Sequence, residues 1–194
     1  MDKRPYAMTN RALAAAQTRE RIIDAAAALF MERDVADITL DAVAELSGVT
    51  LQTVLRRFGS KDGLFEAAAA ERAGDVMARR KPPAPDARSA VHVLVSSYEE
   101  LGEMNWRMLR HEHQQPLVAK LLANARRLHR EWIATSFSDR LPAGGPARER
   151  CVDALFTALD FYVWKLHRKD LGRSRARTEA VMLALVEAIT KVDS

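Results

Sequence analysis

Residues Thr39 to Phe58 read TLDAVAELSGVTLQTVLRRF. Two short apolar-patterned segments flank a Ser47-Gly48 step. Thr39 precedes Leu40, Val43 and Ala44, and its hydroxyl suits the N-cap of a short helix. Gly48 falls in the turn, where a positive φ is cheap only for glycine. Thr50 caps the next helix, which runs to about Phe58. Ala44 is small where two helices cross closely. Val49, Val54 and Phe58 anchor the second helix, leaving Thr50, Leu51, Gln52, Thr53, Leu55, Arg56 and Arg57 on or beside its outer face. A hairpin of helices alone is a common bundle element. Joined to a capped start, a small crossing residue, a turn glycine and a polar face, it reads as a helix-turn-helix.

The outer face has a specific chemistry. A helix fits the major groove of DNA, and side chains near its N-terminus reach base edges. Gln52 suits adenine, Arg56 guanine, and Leu51 a thymine methyl. The hydroxyls of Thr39, Thr50 and Thr53 suit phosphate oxygens. So does the charge of Lys61, which lies in the first turn of the following helix.

Working outward, helical spacing continues on both sides. Upstream, Ile22, Ala25, Ala26, Leu29 and Phe30 form one stripe. Downstream, Gly59 is a stop and Ser60 a start, with Asp62 in the first turn. That helix must end near Lys81, because Pro82, Pro83 and Pro85 follow. Val91, Leu94, Val95, Tyr98 and Leu101 then repeat at helical spacing, and Pro116 opens a further long segment. Leu141 to Pro146, LPAGGP, is the clearest loop. Two helices are predicted after it, roughly Ala147 to Lys169 and Ser174 to Val192. Strand alternation is absent, so the expected class is all-α.

Composition narrows the function without locating it. The chain has 194 residues and a net charge of +4. Residues 1–81 carry 13 Lys or Arg against 12 Asp or Glu, and residues 82–194 carry 17 against 14. A DNA-binding surface must therefore be built from a few placed cations rather than bulk charge. No apolar run is long enough to span a bilayer, and MDKRPYAMTNR is not a secretory signal, so a cytoplasmic protein with no membrane partner is expected. Cys151 is the single cysteine, which excludes an internal disulfide and a cysteine zinc cluster. His111 and His113, at i and i+2, point to opposite sides of a helix, so neither a metal site nor any cofactor is expected. There is no glycine-rich phosphate loop, nucleophile elbow or H-E-x-x-H. The rival readings are a small helical enzyme, or a protein-binding adaptor without operator affinity.

TRERIIDAAAALF, from Thr18, and DITLDAVAELSGVTLQTVLRRFGSKDGLF, ending at Phe65, together resemble the N-terminal domain of the TetR family of regulators. The likeness is close over about residues 18–66 and one of layout beyond. It implies a first helix over Thr18–Arg33, the helix-turn-helix over Thr39–Phe58, and Lys61 heading the fourth helix. Leu55 stands where the family usually has a phosphate-touching tyrosine. Arg57, where His or Tyr is common, can restore that contact through charge. Asp34 stands where a helix-ending glycine is frequent.

The resemblance implies a three-helix DNA-binding domain over residues 1–66, with residues 1–17 as an arm, and a helical effector-binding and dimerisation domain over residues 67–194. Its function would be a regulator, most often a repressor, released from a palindromic operator in double-stranded DNA by a small apolar or amphipathic effector. The effector pocket is expected among Tyr98, Met104, Trp106, His111, Trp132 and Phe156, residues that could equally be ordinary core. The last two helices carry broad apolar faces. In the family such helices pair with their copies in a four-helix interface, so Leu159, Tyr162, Leu166, Leu185 and Ile189 are expected at a homodimer contact.

Overall fold

The computed structural model describes residues 4–82 and 86–192. Among them the elements are nine α-helices joined by short turns. They are α1 (Arg4–Glu32), α2 (Leu40–Ser47), α3 (Leu51–Phe58), α4 (Lys61–Arg79), α5 (Ala87–His111), α6 (Pro116–Ser136), α7 (Gly145–Ala158), α8 (Phe161–Lys165) and α9 (Arg175–Val192). No strand occurs among the described residues, as the alternation-free sequence requires. No helix among them is long and apolar enough to cross a membrane.

Local signals place most boundaries. Thr39 Oγ1 accepts from the Ala42 N–H at 3.1 Å, Thr50 Oγ1 from Thr53 at 3.3 Å, and Ser60 Oγ from Gly63 at 3.0 Å. Each hydroxyl satisfies a helix-start donor that has no partner within its own helix. α4 ends at Arg79, close to the Lys81 limit set by the prolines; Pro83 and Pro85 themselves lie outside the described residues.

Two differences from the sequence reading stand out. First, α1 begins at Arg4, not Thr18, so residues 4–17 prolong the first helix instead of forming an arm. Alanine-rich RALAAAQ has the propensity for this without a packing face. Second, the segment 147–169 is not one helix. The chain breaks at Leu159–Asp160, where Asp160 adopts an extended backbone and its carboxylate accepts from the Tyr162 N–H at 2.8 Å. Asp at that position gains more as a cap than inside a helix. A π-helical turn then spans Leu166–Asp170.

Two apolar cores result. One gathers Ile22, Ile23, Ala26, Ile38, Val43, Val54, Leu64 and Phe65 from α1 to α4. It also takes Leu117, Val118, Leu121 and Leu122 from the start of α6. The other gathers Leu94, Tyr98, Ile133, Phe137, Leu155, Leu159, Trp164, Met182 and Val186 from α5 to α9. α6 therefore serves both, its first half packing on the N-terminal helices and its second half on the C-terminal ones. Cys151 is buried in the second core, as expected of a small apolar residue.

A further tie joins the cores. The Arg107 guanidinium of α5 donates to the carbonyls of Phe30 (3.1 Å), Met31 (2.5 Å) and Glu32 (3.3 Å) at the end of α1. These are last-turn acceptors with no intrahelical donor. His111 Nε2 lies 3.1 Å from Asp34 Oδ2, just past the same helix end.

Candidate nucleic-acid interface

The turn between α2 and α3 forms as its sequence demands. Gly48 is left-handed, at φ 66° and ψ 37°, and its N–H reaches the Ala44 and Glu45 carbonyls. Val49 N–H donates to Ala44 O at 3.0 Å. Buried Ser47 turns its hydroxyl back onto the Val43 carbonyl at 2.7 Å. Val43 and Val54 are fully enclosed where the helices cross, and Ala44 is buried beside them.

This packing fixes which side of α3 faces out. Gln52, Leu55 and Arg56 are exposed; Leu51, Thr53 and Arg57 are half-buried. The Thr50 and Thr53 hydroxyls lie 3.0 Å apart, so both are oriented at the start of the helix. Thr39 is exposed at the start of α2. Arg19 of α1 lies over the Phe58 ring at 5.7 Å and pairs with Glu71 of α4, bracing the far end of α3.

Lys61 follows directly. Its Nζ donates to the Ala36 carbonyl at 3.2 Å, which holds it beside the loop that precedes α2. Partial burial lowers its pKa from the ordinary lysine value, against the opposing pull of Asp62 and Asp37. Arg57 is less free than its charge suggests, because its Nε is enclosed without a hydrogen-bond partner.

Gly63 is a positioning residue that the sequence reading missed. A Cβ there would stand 2.3 Å from the Phe58 carbonyl oxygen. Only glycine lets α4 begin so close beneath the end of α3. The G-S-K-D-G spacing was the available signal.

The expected effector-pocket residues do not meet in one place. Tyr98 is buried and donates to the Leu159 carbonyl at 2.9 Å. Trp132 donates to the Arg80 carbonyl at 3.0 Å, and Phe156 and Trp132 both flank His129. Those three belong to the C-terminal core. Trp106 packs on the outside of the same core, edge-on to Tyr162 and beneath Lys165 Nζ at 4.4 Å. Met104 and His111 line a crevice with Phe30 and Asp34, against the end of α1. α5 explains the scatter: Tyr98 and His111 are thirteen residues apart, about 20 Å along a helix.

The expected dimer residues also divide. Tyr162, Leu166 and Leu185 are exposed, at 52%, 47% and 39%. Ile189 is half-buried against the core. Leu159 is fully enclosed and so is not a surface residue. Its N–H still bonds to the Leu155 carbonyl, so it continues the buried face of α7 formed by Val152 and Leu155.

No group of three or more His, Cys, Asp or Glu side chains suited to a metal occurs among the described residues.

The α2–turn–α3 unit, with α3's polar side outward and an all-helical body behind it, defines a helix-turn-helix protein. Residues 22–68 match the model of bacterial regulatory proteins of the tetR family, and over that span the chain carries the family's N-terminal segment. It is 40% identical over 62 residues to the HTH-type transcriptional regulator AlkX of Mycobacterium tuberculosis. That match covers 32% of this chain and only 28% of the length of AlkX. A tetR-family regulator from Streptomyces coelicolor shares the fold at a TM-score of 0.72 and 19% identity, over 92% of this chain and 82% of its own. SmeT, solved as a complex with triclosan, aligns at a TM-score of 0.62 and 20% identity, over 88% and 90% of the two chains.

Proposed function

We propose that the protein is a cytoplasmic transcriptional regulator whose α3 enters the major groove of a palindromic operator. In this reading it binds as a homodimer, acts as a repressor, and is released by a small apolar or amphipathic ligand held in its C-terminal helices. The observation that carries it is the α3 face: a helix capped by Thr50, buried through Val54, and presenting Gln52, Leu55 and Arg56 to solvent. Residues 1–66 form the DNA-binding unit in this reading, and residues 67–194 the effector and dimerisation unit.

Leu51, Gln52 and Arg56 read bases, while Thr39, Thr50, Thr53, Arg57 and Lys61 hold phosphates. Lys61 already spends one N–H on Ala36, and two remain for a phosphate oxygen. Triclosan, the small chlorinated phenol bound by SmeT, supports an apolar ligand class.

The test is a binding titration against DNA from the region upstream of the protein's own gene. Gln52→Ala or Arg56→Ala is expected to cost about 1–3 kcal/mol and relax preference at one position per half-site. Lys61→Ala is expected to weaken all sequences alike and lower the salt slope by about 0.9. Equal affinity for that DNA and for unrelated duplex would refute operator reading and favour the adaptor.

A further inference from the structure

The C-terminal core contains a charge that it does not neutralise. Arg80, immediately after the last residue of α4, is only 7% exposed. The guanidinium makes a single hydrogen bond, from Nε to Ser97 Oγ at 3.0 Å, and no carboxylate pairs with it among the described residues. The face of the Tyr98 ring, 5.4 Å from the guanidinium carbon, offers partial compensation. A guanidinium stays protonated even when buried, so its cost is not relieved by losing a proton. The remaining N–H donors of the fork are shaped for two oxygens of one carboxylate.

His129 stands beside it and is equally unserved. It is 7% exposed, and neither ring nitrogen has a hydrogen-bond partner. Its ring stacks on Trp132 at 5.8 Å and 9°, and meets Phe156 at 5.2 Å. Trp132 is itself tied to the Arg80 backbone. Burial, and after it the nearby Arg80 charge, keeps the imidazole neutral, leaving one N–H donor and one lone pair unused. The Leu159 carbonyl, which accepts from the Tyr98 hydroxyl, stands near the ring but makes no hydrogen bond to either imidazole nitrogen.

A buried cation and a buried imidazole, both short of acceptors and both walled by aromatic rings, have one common complement. We propose that Arg80 and His129 form the receiving end of a site for an aromatic or otherwise apolar carboxylate. The oxygens take the guanidinium fork and the imidazole N–H, and the apolar body replaces the Trp132–Phe156–His129 ring contacts. This deepens, and rests on, the reading of the protein as a ligand-responsive regulator. A neutral ligand fills the donors without neutralising the charge, and a cation is repelled. The location carries the consequence. Arg80 terminates α4, whose other end begins at Lys61 beneath α3, so a ligand that draws on Arg80 draws on the helix supporting the recognition helix.

The test uses full-length protein with three probes: benzoate, 4-phenylbutyrate and 2-naphthoate, each beside its primary amide. Thermal melting and calorimetric titration are expected to show saturable binding for at least one carboxylate, about 10–100-fold tighter than its amide. Arg80→Met is expected to lose that preference. It should also melt within a few degrees of the wild type or above it, since it removes an unpaired buried charge. No carboxylate bound more tightly than its amide by the wild type would overturn the proposal. So would a carboxylate preference that survives in folded Arg80→Met. The wild-type comparison needs no variant, so a misfolded Arg80→Met leaves the question decidable. Operator affinity, titrated separately, tests the regulator reading, and the two can fail independently.

Discussion

Single residues here are best understood by what their surroundings withhold from them. His129 is an example with a measurable consequence. Burial, reinforced by Arg80, holds its pKa at about 3, whereas an imidazole in an unfolded chain titrates near 6.5. Between those values the unfolded chain binds a proton that the folded protein refuses. Stability must therefore fall as the pH drops through 6.5, and the loss continues toward 3. From pH 7.5 to 5 the linkage amounts to about 2 kcal/mol. Asp160, raised by its own burial, acts with the opposite sign, so the comparison must be with a variant. His129→Phe is expected to lose about 2 kcal/mol less than the wild type over that interval, measured by urea unfolding at each pH. Equal losses in the two proteins would mean that His129 is protonated in the folded state. Neither this behaviour nor the burial of Arg80 without a carboxylate partner is legible in the sequence. RRLHREW reads as a basic helix face, and only the packing of α4, α5 and α7 onto it shows which member is enclosed.

Among the helices, α4 connects the two cores, and its two glycines separate geometric need from tolerance. Gly63 sits where a Cβ would strike the Phe58 carbonyl at 2.3 Å; around Gly74 nothing lies within 4 Å. Gly74→Ala is expected to stabilise the protein by about 0.5–1 kcal/mol, since alanine is the better helix former and has room. Gly63→Ala is expected to destabilise it and to weaken operator binding, because α4 must retreat from α3. Chemical unfolding with a parallel DNA titration checks both, and a Gly63→Ala protein with undiminished affinity would count against α4 as the support of α3. The elements that were legible in advance are those whose signals are local. Thr39, Thr50 and Ser60 cap helices, and Gly48 turns left-handed, because each decision involves neighbours three or four positions away. The break at Asp160 was hidden by an apolar stripe running through Val152, Leu159 and Val163, which mimics one continuous helix. The Arg107 clamp on α1 was hidden for another reason: it joins residues more than seventy positions apart, and nothing in either segment announces the other.

For the whole molecule, the proposed function asks how two copies of α3 would reach one operator. Successive major-groove half-sites lie about 34 Å apart along one face of DNA, so a palindrome demands two copies held at fixed separation. The surface able to hold them is narrower than the apolar pattern of the last helices suggests. Leu159 is spent in the core and Ile189 partly so, while Tyr162, Leu166 and Leu185 remain exposed across α8, the π-helical turn and α9. An isologous contact through these three would explain why large apolar side chains face outward there. Tyr162→Glu with Leu185→Glu is expected to yield a monomer with unchanged helical content, because both positions are already solvated in the single chain. Operator affinity should then fall steeply, since each monomer engages one half-site alone. Leu159→Glu should behave differently: it buries an unpaired charge in the C-terminal core and should unfold the protein instead of dividing it. Sedimentation velocity and circular dichroism distinguish the two outcomes. A wild-type protein that sediments as a monomer at micromolar concentration would remove the dimer. The exposed apolar face would then need another occupant, and a single α3 would have to account for operator binding unaided.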